Sequence, residues 1–75
     1  MKSGYRPLSQ VAGDNLKALI RKSAKYRSQD DFAFDFGVEI RTLSRWLNQG
    51  IKNIDTIKEL ADFLSVDILE LLKDK

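Results

Sequence analysis

The chain has 75 residues, the size of one small domain, and a formal net charge of +2. It contains neither cysteine nor histidine, which excludes disulfides, the usual structural zinc sites, serine–histidine triads and cysteine nucleophiles. No apolar stretch approaches the roughly 18 residues that span a bilayer, and the polar start MKSGYRPLSQ has no signal-peptide core. We therefore expect a cytoplasmic protein with no membrane partner.

Positive charge is concentrated at the start of the chain. Residues 1–29 contain seven cations and one anion, whereas residues 30–75 contain six cations and ten anions. The basic front end suits a polyanion such as nucleic acid, although an ordinary charged surface would show the same counts. Conversely, the acidic residues 55–74 would suit a basic protein partner.

The N-terminal residues 1–12 predict a flexible basic arm, and the folded domain is expected to cover residues 13–75. The arm contains the only proline, Pro7. Its cations Lys2 and Arg6 could enter a minor groove and become ordered on binding. The alternative is a tail that is only disordered.

The first helix is predicted from about Asp14, an N-cap candidate, to about Lys25. Its apolar residues fall on one stripe: Leu16, Leu19, Ile20 and Ala24. Lys17 and Arg21 belong to the basic remainder of its surface.

The second helix is predicted to start after Ser28, with Asp31 in the capping-box position. Gly37 suits the positive φ of its C-terminal end. The inward residues of this helix are Phe32, Ala33 and Phe36.

Three further helices follow at short intervals. The third has Leu43, Trp46 and Leu47 on one face, and these side chains, the tryptophan included, are expected in the core. Asn53 is predicted to cap the fourth, whose apolar positions are Ile54, Ile57, Leu60, Ala61 and Leu64. Asp67 is predicted to cap the fifth, with Glu70 in the capping-box position and Ile68, Leu71 and Leu72 closing the core. The pattern predicts a compact all-α domain of five helices without strands.

Residues 28–50 have the organisation of a helix-turn-helix, with Ala33 small where two steeply crossed helices meet. Here the sequence resembles the lambda-repressor-like (Cro/Xre-type) helix-turn-helix domains over residues 13–72. The segment SQDDFA at residues 28–33 is similar to the family's SQEELA, and TLSRWLN at residues 42–48 is similar to its TISRW recognition helix and LNG ending. NIDTIKELA and SVDILELL resemble the family's fourth and fifth helices.

Some positions depart from the family pattern. Glu39 replaces the usual Ser or Thr at the start of the third helix, and Gln49 is extra before Gly50. Arg27 occupies a place that is usually apolar. The loop to Asn53 is short and lacks a common proline. The loop changes should alter how the third helix is presented but not the fold.

The resemblance implies a sequence-specific transcriptional regulator that binds double-stranded DNA, of the repressor-like kind found in bacteria, phages and mobile elements. The third helix, about residues 39–49, would enter the major groove, and a homodimer would bind a two-fold site on the bacterial nucleoid. The alternative is a protein-interaction module, antitoxin-like or adaptor-like, with the same fold. Neither interpretation implies an enzyme, a metal, a cofactor or a small-molecule ligand.

A helical wheel of the third helix places three polar residues opposite the core face: Arg41, Arg45 and Asn48. A guanidinium can donate two hydrogen bonds to guanine O6 and N7, so the two arginines are candidates for base readout. In the family, the residues that match Ile40, Arg41, Ser44 and Arg45 commonly face the groove. The alternative for the arginines is a solvated surface.

The first turn of this helix is open to two interpretations. Glu39 is either favoured there by the helix dipole or accepts a hydrogen bond from cytosine N4. Ile40 either packs on a thymine methyl group or packs under the first helix.

The resemblance implies a phosphate contact by Gln29, at the start of the second helix. Asp30 and Asp31 would be dipole-favoured neighbours of this contact. Further candidates for phosphate contact are Lys22, Lys25, Arg27, Thr42 and Lys52. A plain loop lysine is the alternative for Lys52. Phe63 and Leu69, on the last two helices, are candidates for a dimer interface or for the core.

Overall fold

The computed structural model describes residues 7–73 and contains five helices in that range. They are α1 (Leu8–Lys22), α2 (Gln29–Phe36), α3 (Ile40–Gln49), α4 (Ile54–Leu64) and α5 (Ile68–Leu72). No strand occurs between residues 7 and 73, and the predicted all-α, five-helix class is confirmed. Among the described residues, no helix is both long enough and apolar enough to cross a membrane.

The first helix starts earlier than the sequence predicted. It begins at Leu8 rather than near Asp14, with Pro7 at the N-cap at a φ of −60°. The carbonyl oxygen of Pro7 accepts a hydrogen bond from the amide of Val11 at 3.1 Å. Proline has no N–H to satisfy, so it is compatible with a helix start. Residues 8–12 therefore belong to a helix, and the predicted boundary of the arm at residue 12 is wrong.

Gly13 lies inside α1, where it allows close contact with α3. A side chain at Gly13 would collide with the main-chain carbonyl of Trp46, and one at Gly50 would collide with the backbone of Ser9. The amide of Ile51 also donates to the Ser9 carbonyl at 2.9 Å. A glycine inside a helical pattern lowers helix propensity and usually indicates an end. Here it is required by packing, which is why the sequence indicated the wrong start.

The end of α1 also differs from the prediction. The helix stops at Lys22 instead of Lys25, where the amide of Ser23 closes its last turn. Residues 23–28 form a connector between α1 and α2. Ala24, which the predicted apolar stripe included, is exposed in this connector.

Both ends of α2 have the predicted capping residues. The Ser28 hydroxyl accepts from the amide of Asp31 at 3.3 Å, and the Asp31 carboxylate accepts from the amide of Arg27 at 3.1 Å. This arrangement is a capping box displaced by one residue, since the carboxylate bonds Arg27 and not Ser28. At the other end, Gly37 has a φ of 95°, and its amide donates to the Ala33 carbonyl at 2.9 Å.

The caps of α4 and α5 are also the predicted residues. The Asn53 side chain accepts from the amide of Asp55 at 2.9 Å. The Asp67 carboxylate accepts from the amide of Leu69 at 3.3 Å. These bonds satisfy amides of the first turn that have no partner within their helix.

The core is formed by apolar side chains from all five helices and from the loop before α4. Its fully buried large residues are Val11, Leu16, Phe32, Leu43, Ile51, Leu60 and Leu71. Ile54, which the predicted fourth-helix pattern included, is instead exposed at the start of α4. Ile54 is exposed because it is the first residue of α4, and the first turn of that helix extends past the core.

Five aromatic side chains form an aromatic cluster beside this core: Tyr26, Phe32, Phe36, Trp46 and Phe63. Trp46 is partly buried and meets Phe36 edge-on, with ring centroids 6.2 Å apart. The expected packing role of Trp46 is therefore observed. Phe63 is 38% exposed, but its ring meets Phe36 at 5.0 Å and Phe32 at 5.7 Å, so one side of it packs on the aromatic cluster.

Asn15 links the middle of α1 to the C-terminal end of α5. Its side-chain amide donates to the carbonyl oxygens of Leu71 and Lys73, each at 2.8 Å. These carbonyls end α5, where main-chain acceptors lack helical partners. Asn15 thereby attaches the short last helix to α1.

Candidate nucleic-acid interface

The two faces of α3 differ sharply in exposure. Leu43 is fully buried and Leu47 is 5% exposed. Arg41, Arg45 and Asn48 are all exposed on the other side, as the helical wheel predicted. Packing of the apolar face fixes the orientation of the helix and therefore presents these three polar groups together.

Ser44 and Asn48 are linked one turn apart on this helix. The amide nitrogen of Asn48 donates to the Ser44 hydroxyl at 3.3 Å. This bond uses one of the two amide hydrogens and leaves the second hydrogen and the carbonyl oxygen of Asn48 for other partners. Those two groups are the ones that an asparagine uses on the major-groove edge of adenine.

The first turn of α3 is open to solvent. Ile40 is 44% exposed, so it is not packed away under α1. Glu39 occupies the N-cap position, but its side chain makes no capping hydrogen bond. Its carbonyl oxygen accepts the first hydrogen bond of the helix, from the amide of Leu43 at 3.1 Å. Both side chains at this turn are therefore free to meet a ligand.

A first cleft lies where α1 ends and α2 begins. Its lining residues are Ile20, Arg21, Tyr26, Arg27, Ser28 and Gln29. The amides of the first turn of α2 carry the positive end of the helix dipole. Two guanidinium groups beside such amides and a glutamine side chain form a surface suited to an anion.

Arg21 is a residue that the sequence analysis missed at this cleft. The sequence pattern puts Arg21 on the basic surface of α1 and predicts no phosphate role for it. In the structure, Arg21 lines the same cleft as Arg27 and Gln29. The signal was available, because a cation in the last turn of a helix lies close to the start of the next helix when the connector is short. Lys22, a predicted contact, is exposed in the same turn but does not line the cleft.

Lys25, another predicted phosphate contact, is paired within the protein. Its ammonium lies 3.3 Å from the Asp35 carboxylate and 5.4 Å from the centroid of the Tyr26 ring. The pKa of Lys25 is raised, chiefly by the hydrogen bond and charge of Asp35. Lys25 does not line the first cleft. Its charge is thus engaged on the far side of the connector.

Tyr26 completes this ionic group. Its hydroxyl donates to the Asp35 carboxylate at 2.8 Å. Partial burial raises the pKa of Tyr26, and the neighbouring carboxylate raises it further. The pKa of Asp35 is lowered, first by the hydrogen bond from Tyr26 and then by that from Lys25. Both shifts favour the pairing of a neutral phenol with an ionised carboxylate.

A second cleft lies where α3 ends and α4 begins. It is lined by Arg45, Trp46, Gln49, Gly50, Lys52 and Asn53. Lys52 is exposed there beside the N-terminus of α4, which is a setting suited to a phosphate. Gln49 joins this cleft although the sequence analysis gave it no binding role. The cleft shares Arg45 with the outward row of α3.

The remaining predicted DNA contacts are Thr42, Gln29, Lys2 and Arg6. Thr42 is half-buried on α3, and Gln29 is half-buried at the start of α2. Lys2 and Arg6 lie outside the described residues. The Ser9 carbonyl in α1 anchors the loop that carries Lys52.

Together these features define a class of protein. A helix with one buried face follows a capped helix and a glycine turn, and it presents two arginines and an asparagine outward. Basic clefts lie at the starts of α2 and α4. This is the organisation of a helix-turn-helix DNA-binding domain.

Comparison with known proteins agrees with this class. Residues 17–71 match the helix-turn-helix family of the Cro/C1 type, and the chain belongs to that family. A solution structure of the SOS-response transcriptional repressor LexA from Eubacterium rectale is similar, with a TM-score of 0.74 and 26% sequence identity. The similarity covers 97% of this chain and 77% of the LexA chain. No match was found among curated protein sequences. Family and neighbour together support a DNA-binding regulator.

Proposed function

We propose that this chain is a sequence-specific, double-stranded-DNA-binding domain of a transcriptional regulator, repressor-like and of bacterial or phage origin, that inserts α3 into the major groove. The observation that carries the proposal is the exposed row of Arg41, Arg45 and Asn48 on a helix whose opposite face is buried. A helix held in this way can present side chains in a fixed register to base edges.

The chemistry of the row matches the major-groove pattern of specific bases. Arg41 and Arg45 each have the paired donors that guanine O6 and N7 accept. Asn48 retains one donor and one acceptor after bonding Ser44, as adenine requires. Ile40, with 44% of its surface exposed, offers an apolar contact to a thymine methyl group. Glu39 could accept from cytosine N4 at the same turn.

Phosphate contacts would come from the two clefts. Arg21, Arg27 and Gln29 would hold one phosphate at the start of α2, and Lys52 would hold another at the start of α4. Lys22 and Thr42 are candidates for additional backbone contacts. Such contacts set the register of α3 in the groove and carry no sequence information themselves. The N-terminal residues Lys2 and Arg6 would extend this electrostatic contact into a minor groove.

Specificity for a genomic site favours a homodimer. One recognition helix covers only about four or five base pairs, and two copies with recognition helices about 34 Å apart would read a two-fold site. Leu69 on α5 is 63% exposed and supports an interface there. Such a dimer would act on bacterial DNA at the nucleoid.

One observation favours a second candidate function, a protein-interaction module. Phe34 on α2 is 90% exposed, and Asp30 and Asp31 lie one turn before it on the same helix. An exposed aromatic residue among carboxylates would suit a basic protein partner. In either case we infer that the domain binds and does not catalyse.

The proposal is tested by selecting bound sequences from a random pool of duplex DNA and measuring stoichiometry on the selected duplex. We expect a palindromic motif, two chains per duplex and an affinity that falls steeply with salt concentration. Failure to enrich any sequence, together with saturable binding to a basic protein, would favour the interaction module.

A further inference from the structure

Two side chains of the connector share one carboxylate on the last turn of α2. The Tyr26 hydroxyl donates to an oxygen of Asp35 at 2.8 Å, and the Lys25 ammonium lies 3.3 Å from the same oxygen. The connector is therefore attached to the C-terminal end of α2, the end opposite the first cleft. Such an attachment limits the positions that the connector can take relative to α2.

Tyr26 is held at a second point by its ring. The ring meets Phe32 edge-on, with centroids 5.1 Å apart, and Phe32 is fully buried. One face of the same tyrosine contributes to the first cleft. Tyr26 thus connects three structures: the core through its ring, α2 through its hydroxyl, and the cleft through its surface.

Only Arg27 and Ser28 separate Tyr26 from the start of α2. The amide of Arg27 donates to Asp31 at 3.1 Å, and the Ser28 hydroxyl caps the helix. With Tyr26 fixed on one side and the cap on the other, the backbone of Arg27 has little freedom. These bonds fix the point on the backbone from which the Arg27 side chain extends toward the cleft.

We infer that Tyr26 and Asp35 are positioning residues for phosphate binding at the first cleft. Their hydrogen bond holds Arg27 beside Arg21 and Gln29, where the three groups can meet one DNA phosphate. Neither residue needs to touch the DNA. This inference rests on the proposed DNA-binding function and assigns the pair a role in affinity. It assigns them no role in sequence preference, because phosphates are common to all duplexes.

Because Asp35 is charged, the direction in which Asp35→Asn changes the affinity for DNA tests the inference. Replacing Asp35 with asparagine removes a negative charge and releases Lys25 from its ion pair. Electrostatics alone then predicts tighter binding to DNA. A positioning role predicts weaker binding, since the connector loses its ion pair through Lys25 and keeps only a weaker, neutral hydrogen bond from Tyr26. The two explanations cannot give the same result.

The experiment compares Tyr26→Phe, Asp35→Asn and the double variant on the selected duplex and on an unrelated duplex, at several salt concentrations. Tyr26→Phe keeps the ring contact with Phe32 and changes no charge, so it should remain folded, which thermal unfolding checks. Asp62→Asn is the matched control, because it removes the same charge and also releases a lysine, Lys58, from an exposed ion pair of 3.3 Å that lies outside both clefts.

We expect each single variant to bind both duplexes about 3- to 10-fold more weakly, the order of loss of one partly exposed charge-assisted hydrogen bond. The ratio of affinities for the two duplexes should not change. The double variant should bind no more weakly than the single variants. The slope of log affinity against log salt concentration should decrease in magnitude by the equivalent of roughly one phosphate contact. Asp62→Asn should bind as tightly as the wild type or tighter. Tighter binding by Asp35→Asn, or unchanged binding by Tyr26→Phe, overturns the positioning role alone. A wild-type chain that binds no DNA overturns the proposed function and this inference together.

Discussion

Gly13 of α1 lies directly against the main-chain carbonyl of Trp46 in α3, with no room for a side chain between them. This contact lets the first helix pack on the end of the helix that carries the candidate base-reading row. Because α3 must keep one orientation to present Arg41, Arg45 and Asn48 together, its backbone contact with α1 matters for binding as well as for stability.

Gly13→Ala should therefore destabilise the domain, although alanine is the better helix former. The gain in propensity is about 1 kcal/mol, and the displaced backbone should cost more, giving a net loss of roughly 1–2 kcal/mol. Urea unfolding measures the difference. Gly37→Ala is the comparison for a different cause of loss, because a side chain there meets nothing within 4 Å and any destabilisation comes from the φ of 95° alone. A Gly13→Ala variant as stable as the wild type would contradict the packing role.

The parts of the fold that could be predicted from the sequence are those decided by neighbouring residues. Ser28, Asn53 and Asp67 cap helices through bonds to amides two or three residues away, and each prediction is confirmed. The buried faces of α3 and α4 follow from apolar spacing. Capping and periodicity are local, so one sequence is sufficient to recognise them.

The errors concern contacts between residues far apart in the chain. Gly13 indicated a helix boundary because its partner, Trp46, is distant in sequence. For Lys25, whose phosphate contact stays a prediction, the sequence did not indicate the ion pair of 3.3 Å with Asp35 at the other end of α2. Neither propensity nor spacing contains this information.

Within the candidate site, the outward row was predictable and the clefts were only partly so. Helical geometry is sufficient to place Arg41 and Arg45 on one face. Arg21 enters the first cleft because α1 ends at Lys22, a boundary that the sequence did not give. The roles of these residues in DNA binding remain predictions.

Arg41→Ala and Arg45→Ala should each relax the preference for one base pair. Loss of a bidentate contact to guanine should cost about 1–3 kcal/mol at that position and much less elsewhere in the site. Binding to a set of single-base variants of the selected duplex gives the measurement. Lys58→Ala is the matched control, since Lys58 lies on α4, lines neither cleft and pairs with Asp62 at 3.3 Å. A uniform loss across all duplexes would show that the two arginines contact only phosphates.

Arg21→Ala should weaken binding to every duplex by a similar factor and reduce the magnitude of the salt slope by about 0.9. Lys25→Ala should have a smaller effect, because its ammonium already pairs with Asp35 and does not line the first cleft. Affinities on two unrelated duplexes at several salt concentrations distinguish the two. A larger loss for Lys25→Ala than for Arg21→Ala would reverse the assignment made from the structure.

Phe63 and Leu69 should separate into a core residue and an interface residue. Phe63→Ala should destabilise the domain by roughly 2 kcal/mol, since its ring packs edge-on against Phe32 and Phe36. Leu69→Glu should leave stability nearly unchanged, because Leu69 is 63% exposed, but should lower the number of chains bound per duplex from two to one. Thermal unfolding and sedimentation of the DNA complex provide the two measurements. Two chains per duplex with Leu69→Glu would place the interface elsewhere.

The Asp35 carboxylate should contribute to stability at neutral pH and lose that contribution in acid. Its pKa is lowered in the folded protein by Tyr26 and Lys25, so the ionised form is favoured by folding. A depressed folded pKa gives stability that is complete above the unfolded value of about 4 and disappears as the pH falls through the folded value. Lys25 and Tyr26 both have raised pKa values and stay protonated throughout this range.

The difference in melting temperature between wild type and Asp35→Asn should therefore be largest near neutral pH and should shrink below about pH 4. In a Tyr26→Phe background the same difference should be smaller at neutral pH, because the largest cause of the shift is absent. A difference that is constant from neutral pH to pH 3 would show that the Asp35 contacts do not depend on its charge.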